Sequence, residues 1–262
     1  MDLQLSNKII LVTGGAKGIG EGIVKVLASE GAIPVIVGRN EADNKTLLSE
    51  IERKGGKALQ VVAELTRAEE CEQAVRQVIA QWGRIDGLVN NAGVNDGVGL
   101  ENGNYEMFMA SLHKNLIHYY LMAKHALPEL KKSKGSIVNI TSKAADTGQG
   151  GTSAYAASNG GRNALTREWA VELLKYGIRV NAVVVAECFT PLYGRWIETQ
   201  PDPAKKLKEI ESKIPLGNRM TTAEEIGNTV AFLLSERSSH TTGQLLYVDG
   251  GYVHLDRALS NT

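Results

Sequence analysis

A serine and a tyrosine in the middle of the chain are side chains that could move a proton. Ser142 ends the segment Asn139–Ser142, directly behind an apolar run, and Tyr155 follows thirteen residues later at the start of a helical stretch. A phenol can act as a general acid or base when its pKa is brought near the working pH, and a serine hydroxyl can orient a reacting oxygen. The structural alternative is a buried tyrosine and a serine that caps a helix.

A glycine-rich loop near the start of the chain could bind a pyrophosphate. The run Ile9–Val12 leads into Thr13-Gly14-Gly15-Ala16-Lys17-Gly18-Ile19-Gly20 and then into a helical pattern. In such a loop the successive glycines permit a tight turn, a close approach of phosphate to the backbone, and close packing of the helix on the strand. The free N–H groups at the helix start suit an anion. A strand, a loop and a helix in this order predict dinucleotide binding rather than a simple turn.

The residues after the second predicted strand favour NADP over NAD. The strand Ile33–Val37 is followed by Gly38 and Arg39, so positions 37 and 38 offer no acid to hold a ribose 2′-hydroxyl. An arginine here accommodates a 2′-phosphate, and Lys17 would add a second cation. We expect NADP to be preferred and NAD to be possible. In the alternative, Arg39 stacks on the adenine and Lys17 is a solvated loop charge, which leaves the preference open.

Four separated signals together resemble the short-chain dehydrogenase/reductase family over essentially the whole chain. They are the glycine loop, Asn90–Gly93, Asn139–Ser142 and Tyr155. The resemblance implies an NAD(P)-dependent oxidoreductase, in which the cofactor carries the hydride and the protein orients the substrate and moves one proton. It assigns Tyr155 as the catalytic acid/base and Ser142 as the group that polarises the reacting oxygen. It also assigns Asn115 to a proton-relay water.

The resemblance further implies a set of cofactor contacts. Glu64-Leu65 occupies the place where the family usually has Asp-Val or Asp-Leu beside the adenine, which lengthens the carboxylate arm. Thr190 matches the threonine near the nicotinamide carboxamide. The expected contacts are Gly14, Lys17, Gly18, Ile19, Gly20, Arg39, Glu64, Leu65, Asn91, Ala92, Gly93, Tyr155, Asn159 and Thr190.

The chain departs from the family motif Tyr-x-x-x-Lys, because it has Asn159 one helical turn after Tyr155. An asparagine can donate a hydrogen bond to a ribose but carries no charge. A cation that lowers a tyrosine pKa from about 10 by about 3 units supplies about 4 kcal/mol. We therefore expect slowed oxidation at neutral pH, with reduction affected less. Lys143 is the nearest other cation in sequence, and we expect it to be solvated.

Three interpretations of Asn159 remain open. It is an engineered change, a natural variant with weak activity, or the mark of a nucleotide-binding protein with little or no catalysis. Because the other site residues match the family, we favour an enzyme whose turnover is compromised.

The segment after the sixth strand departs from the family as well, with Ala186-Glu187 in place of the usual Pro-Gly. Together with the tail Asp249–Ala258, it resembles members of the family that oxidise free sugars such as L-fucose at the anomeric carbon to the lactone. The ketone and 3-oxoacyl reductases are the alternative, and for them we would expect an apolar lobe. The residues expected at the substrate are Ser142, Gln149, Tyr155, Glu187 and Trp196, with Asn95 and His254 as further candidates.

Four of these substrate candidates also have an ordinary structural interpretation. Glu187 could be a salt-bridged loop carboxylate, and Gln149 a solvated loop residue. Trp196 could pack within its lobe, and His254 could lie on the surface.

The elements that position these residues alternate between strands and helices, as in repeated βαβ units. The strands are predicted at Ile9–Val12, Ile33–Val37, Leu59–Val62, Leu88–Val89, Ile137–Ile140, Val180–Val185 and Leu245–Val248. Helices are predicted, for example, at Gly20–Ser29, Thr66–Gln81, Tyr105–Ala126, Ser153–Lys175 and Ala223–Leu234. The pattern predicts an α/β fold with a doubly wound parallel sheet, the Rossmann fold. We expect one domain over residues 1–262, with a substrate-covering lobe at Glu187–Pro215.

Composition limits the partners. Twenty-nine basic residues balance twenty-nine acidic ones, which argues against binding of nucleic acid or an anionic membrane. No signal peptide or membrane-spanning run is apparent, and the distant Cys71 and Cys188 suggest reduced thiols, so we expect a cytoplasmic protein. The five histidines show no metal-binding spacing, so no metal is expected. The family resemblance implies a homotetramer paired through the two long helices.

Overall fold

The predicted strands join a single parallel sheet in the computed structural model, which describes residues 1–255. The sheet order is β3-β2-β1-β4-β5-β6-β7, so the direction of winding reverses between β1 and β4. Asp256, Arg257 and Ala258 of the tail lie outside the described residues. The strands are β1 Ile9–Thr13, β2 Ile33–Gly38, β3 Leu59–Val62, β4 Gly87–Asn90, β5 Ser136–Ser142, β6 Arg179–Val185 and β7 Leu245–Val248. The doubly wound α/β fold expected from the sequence is confirmed.

The helices are α1 Gly18–Ser29, α2 Glu41–Arg53, α3 Ala68–Trp82, α4 Tyr105–Leu112, α5 His118–Ser133, α6 Ser153–Glu172, α7 Pro191–Ile197, α8 Pro203–Glu211 and α9 Ala223–Leu234. Two differences from the predicted pattern matter for the site. A π-helical turn at His113–Ile117 divides the predicted helix Tyr105–Ala126. The lobe after β6 is built from α7 and α8, each begun by a proline in its first turn, where the ring's fixed φ suits a helix start.

The sheet is buried on both faces, which explains why its strands are continuously apolar. Ile9 and Leu11 of β1 contribute to a core cluster on one face, with side chains of α3, α5 and α6. Ile10 and Val12 of the same strand contribute to a second cluster, with side chains of α1 and α9. Successive side chains of a strand point to opposite faces, so each strand anchors both helical layers.

Burial also accounts for the two cysteines. Cys71 and Cys188 are free and buried. Loss of hydration raises the pKa of Cys71 to about 11 and that of Cys188 to about 12, so both thiols stay protonated at neutral pH. Within residues 1–255 no cluster of three or more His, Cys, Asp or Glu side chains could hold a metal ion. In the same part of the chain, no helix has the length and apolar character needed to cross a membrane.

The packing of α1 on α9 yields a prediction for Gly22. A Cβ at this position would lie 2.6 Å from the backbone carbonyl carbon of Ala223, so one of the helices would have to shift. We expect Gly22→Ala to lower the free energy of unfolding by about 1–3 kcal/mol, although alanine favours helices. The measurement is urea unfolding followed by circular dichroism.

Gly194→Ala in α7 is the matched control. Its added Cβ would lie 3.6 Å from the Phe189 ring, an ordinary contact. We expect this variant to gain up to about 1 kcal/mol from helix propensity. Equal stability of the two variants would contradict the described helix packing.

Candidate active site

A crevice of about 700 Å³ opens at the carboxyl ends of the strands, across the point where the winding reverses. Ligands of doubly wound sheets bind in this place. The crevice brings together most of the residues predicted at a cofactor: Gly14, Lys17, Gly18, Ile19, Gly20, Arg39, Glu64, Leu65, Asn91, Ala92, Gly93, Tyr155 and Thr190. Ser142 and Asn95 also line it. Asn159 and Asn115 are fully buried and are not among the lining residues.

The glycine loop is held to the loop after β4 by a short hydrogen-bond network. Gly14 and Gly18 have φ values of 63° and 58°, a conformation that glycine adopts without steric cost. The Asn91 amide donates to the carbonyl oxygens of Thr13 and Gly14 at 2.9 and 3.2 Å. The Thr13 hydroxyl accepts from the backbone N–H groups of Asn91 and Ala92 at 2.8 and 3.1 Å. The floor of the crevice is therefore fixed by the protein itself.

At one end of the crevice, each of the two predicted phosphate-binding cations has a carboxylate beside it. Lys17 forms an ion pair with Asp43 at 2.8 Å, and Arg39 forms one with Glu64 at 3.4 Å. Partial burial disfavours the charged form of Glu64, but hydrogen bonds from Thr66 and Arg39 outweigh it and hold the pKa of Glu64 below its ordinary value. Positions 37 and 38 carry no acid, but α2 supplies Asp43 and the chain just after β3 supplies Glu64.

Ser142 and Tyr155 line the crevice from neighbouring elements. Ser142 is the last residue of β5, and its hydroxyl accepts a hydrogen bond from the backbone N–H of Ala144 at 3.2 Å. The structural alternative for this serine, a cap, is therefore present as well. Tyr155 lies in the first turn of α6. Both hydroxyl-bearing side chains can reach a substrate in the same crevice.

The structure adds a charged residue that the sequence analysis missed. Arg162 lines the crevice but is only 3% exposed. Its Nε donates to the carbonyl oxygen of Asn115 at 2.6 Å, and its Nη1 donates to the carbonyl oxygen of Ile140 at 3.3 Å. Its Cζ lies 4.3 Å from the centre of the Tyr119 ring. Among residues 1–255, no carboxylate forms an ion pair with this guanidinium.

Sequence spacing carried a signal for Arg162, because positions 155, 159 and 162 lie on one face of a helix. The Asn159 side-chain oxygen accepts from Arg162 Nη1 at 3.0 Å, and its amide donates to the Tyr155 carbonyl oxygen at 2.8 Å. Both ends of the Asn159 side chain thus bond to the protein.

Asn115, in the π-helical turn, also bonds to the protein through both ends of its side chain. Its side-chain oxygen accepts from the backbone N–H of Val94 at 2.7 Å, and its amide donates to the Ser111 carbonyl oxygen at 3.0 Å. Asn115 therefore joins the turn to the loop after β4.

Glu187, a predicted substrate residue, forms an ion pair with Lys143, the residue after Ser142. Neither member of the pair is among the crevice-lining residues, but their chain neighbours Ser142, Ala186 and Cys188 are. The Lys143 side chain is 10% exposed, and its Nζ lies 4.0 Å from the centre of the Tyr252 ring. The expectation that Lys143 is solvated was wrong, since Glu187 after β6 and Tyr252 after β7 lie against it.

Three further substrate candidates, Trp196, Gln149 and His254, are not among the crevice-lining residues. Trp196 is 44% exposed and packs edge-on against Tyr193, with ring centres 5.2 Å apart. Gln149 is exposed. His254 is exposed and meets the Tyr247 ring edge-on at 4.3 Å.

Comparison with known proteins gives consistent results along the whole chain. Residues 14–253 match a family model described as enoyl-(acyl carrier protein) reductase. The chain is 34% identical to L-fucose dehydrogenase of Bos taurus, over 96% of this chain and 91% of that protein. It is 36% identical to 3-oxoacyl-(acyl-carrier-protein) reductase of Thermotoga maritima, over 96% of this chain and 100% of that protein. The solved structure of Cj0485 dehydrogenase is similar with a TM-score of 0.93 and 48% identity, covering 99% of each chain.

A buried histidine beside the crevice makes stability depend on pH. His118 is 1% exposed, with Nε2 2.9 Å from the Lys114 carbonyl oxygen, so Nε2 carries the proton and donates it. Burial, aided by the nearby Arg162 charge, lowers the pKa of His118 to about 4. The unfolded chain takes up this proton near pH 6.5, whereas the folded chain resists it down to about pH 4. Stability is therefore fully present above pH 6.5 and falls as the pH drops from there toward 4.

We expect the free energy of unfolding to fall by about 2 kcal/mol between pH 7 and pH 5 on account of His118. In His118→Gln, which keeps a donor for the Lys114 carbonyl, this part of the loss should disappear. Urea unfolding at the two pH values measures the difference. The control is His113→Gln, at the exposed first position of the π-helical turn. This variant should lose as much stability between pH 7 and pH 5 as the unaltered protein. An unchanged pH dependence in His118→Gln would contradict the assignment.

Proposed function

The chain belongs to the short-chain dehydrogenase/reductase family, and on that premise we propose that it is an NAD(P)-dependent dehydrogenase that oxidises an aldose such as L-fucose at C1 to the lactone. The observation that carries the proposal is the lining of one crevice by the glycine loop, Ser142 and Tyr155. The similarity to L-fucose dehydrogenase supports the choice of substrate.

The residues of the crevice fit a dinucleotide. The glycine loop leads into α1, whose first N–H groups and positive dipole end suit a pyrophosphate. The open space beside Gly14 and Gly18 continues to Ser142 and Tyr155. When bound, a nicotinamide dinucleotide supplies the hydride acceptor.

The protein has to accept one proton and orient one oxygen of the substrate. Oxidation of a pyranose at C1 removes a hydride from that carbon and a proton from its hydroxyl, which leaves the C=O bond of a lactone. In the proposal Tyr155 receives this proton and Ser142 orients the oxygen that loses it. Asn115 bonds to Val94 and Arg162 and so fixes the wall of the crevice beside Tyr155.

Turnover is slowed by Asn159 in this proposal, since a neutral amide stands where the family motif has a lysine. The Asn159 side chain is engaged by Tyr155 and Arg162, which leaves the phenol without a motif cation. NADP is the preferred cofactor because Lys17 and Arg39 both line the crevice, and NAD remains possible.

The second candidate is a ketone or 3-oxoacyl reductase. It is favoured by the 36% identity to such a reductase and by exposed apolar side chains of the lobe, namely Phe189, Leu192 and Trp196. A nucleotide-binding protein with little catalysis is the third, and it rests on Asn159 alone.

We also propose a cytoplasmic homotetramer in which α4, α5 and α6 supply the interfaces. Exposed apolar side chains on these elements support it, since Tyr120 is 52% exposed and Val171 is 71% exposed.

One prediction of this proposal concerns Asn159→Lys. A restored cation should raise the rate of aldose oxidation at pH 7 by at least about tenfold, because charge on the phenol becomes easier to form. The assay follows NADPH formation with a panel of aldoses, and NADPH consumption with a panel of ketones and a 3-oxoacyl thioester. Reduction should gain less than oxidation.

Tyr155→Phe in the same Asn159→Lys background is the control and should abolish both directions. If Asn159→Lys binds NADPH but transfers hydride to or from no member of the panels, the catalytic proposal fails. Reduction of ketones without oxidation of any aldose would favour the second candidate.

Another prediction of this proposal concerns cofactor choice. Arg39→Ala should weaken NADPH binding about tenfold or more and NADH binding far less, because only NADPH carries the 2′-phosphate. Isothermal titration with both cofactors measures this. Arg53→Ala, at an exposed position at the end of α2, is the control and should change neither affinity. Equal losses of NADPH and NADH binding in Arg39→Ala would defeat the NADP preference.

A further inference from the structure

Two charged side chains beside Ser142 form a buried ion pair that the family motifs do not account for. We propose that Lys143 and Glu187 together recognise two neighbouring hydroxyl groups of a neutral sugar ring and so determine substrate specificity. The inference rests on the proposed oxidation of a sugar, and it names the part of the site that selects a polyol.

The position of the pair follows from the sheet. Ser142 and Val185 are register partners at the ends of β5 and β6. Lys143 directly follows Ser142, and Glu187 comes two residues after Val185. The carboxyl ends of parallel strands meet at one edge, so both residues lie at the same edge of the sheet as Ser142, and Ala186 and Cys188 on either side of Glu187 line the crevice with Ser142. Their side chains are 10% and 13% exposed.

The pair has hydrogen-bonding capacity that a sugar can use. An ammonium group has three donors and a carboxylate has about four acceptor sites. Lys143 donates to Glu187 and faces the Tyr252 ring, and the Glu187 carboxylate lies near enough to the Tyr193 phenol to influence its pKa. Burial and the Glu187 charge raise the pKa of Tyr193, so its hydroxyl stays a donor. Because a sugar hydroxyl both donates and accepts, two adjacent ones can bond to the ammonium and the carboxylate at once.

An aromatic surface adjoins the charged pair. Tyr193, whose phenol is near Glu187, packs edge-on against Trp196 with ring centres 5.2 Å apart, and its ring centre lies 6.0 Å from that of Phe189. A pyranose has hydroxyl groups at its edge and an apolar C–H face. Tyr193 thus connects a polar contact for the edge with an apolar contact for the face.

The Lys143–Glu187 pair disfavours charged substrates and acyl chains. The ammonium and the carboxylate cancel, so the pair attracts neither an anionic nor a cationic substrate. Two ions with little exposure to water are costly unless their hydrogen bonds are satisfied. An acyl chain placed over them would exclude water and offer no hydrogen bond in return. The pair therefore favours a neutral polyol over the 3-oxoacyl substrate of the alternative function.

The test compares how much each sugar hydroxyl contributes to binding in the unaltered protein and in a variant that lacks the ion pair. L-Fucose and analogues that each lack one ring hydroxyl are titrated into the NADP⁺ complex, and binding is measured by saturation-transfer NMR. In the unaltered protein, loss of one of the recognised hydroxyls should weaken binding about tenfold or more, as expected for hydrogen bonds to charged groups. In the double variant Lys143→Met with Glu187→Gln, the same loss should cost less than about threefold.

The double variant removes both charges together, which avoids an unpaired buried ion. Its NADP⁺ affinity and its urea unfolding are measured to check that it is folded. Glu72→Gln with Arg76→Met, which removes an exposed ion pair on α3, is the control and should keep the hydroxyl dependence of the unaltered protein.

The outcomes separate this inference from the proposed function. If sugars bind but the double variant keeps the full hydroxyl dependence, or if no single hydroxyl matters in the unaltered protein, the inference is overturned and sugar oxidation stands. If L-fucose and the other aldoses neither bind nor react while a 3-oxoacyl thioester is reduced, both are overturned.

Discussion

The buried guanidinium of Arg162 is the interaction on which the inner end of the crevice depends. A charge removed from water needs compensating dipoles, and here these come from the π turn, from β5 and from Asn159 of the same helix. Because one side chain bonds to all three, the wall beside Tyr155 cannot move without exposing unsatisfied groups. This also explains how a neutral residue is accommodated at position 159, since its oxygen accepts from Arg162. A lysine there would have to direct its ammonium away from the guanidinium.

The other charges of the site fall into two kinds according to their exposure. Lys17 and Arg39 have side chains that are 59% and 79% exposed, and ion pairs in such surroundings contribute about 0–1 kcal/mol. Their carboxylate partners can therefore be displaced by a 2′-phosphate at little cost. Lys143 and Glu187 are covered by the chain, so a ligand gains by adding hydrogen bonds to the pair rather than by breaking it.

The fold, and the lining of one crevice by the glycine loop, Ser142 and Tyr155, were predictable because their signals are local. Continuous apolar runs mark strands that are covered on both faces, and the glycine loop needs only its own backbone conformation. The helix α2 was not among the predicted examples, since its buried side chains are few, namely Asn44, Leu47 and Ile51. The π turn was missed because the apolar pattern continues through it, while the change lies in which backbone groups pair.

The sequence by itself determined the family, the parallel α/β sheet and the positions of the glycine loop, Ser142 and Tyr155, because these depend on spacing within short segments. Only the tertiary structure showed what surrounds the charges. Lys143 and Glu187 are 44 positions apart, and Arg162 and Asn115 are 47 apart. The energy of a charge depends on its hydration and on its neighbours in space, and the sheet brings those neighbours together from distant parts of the chain.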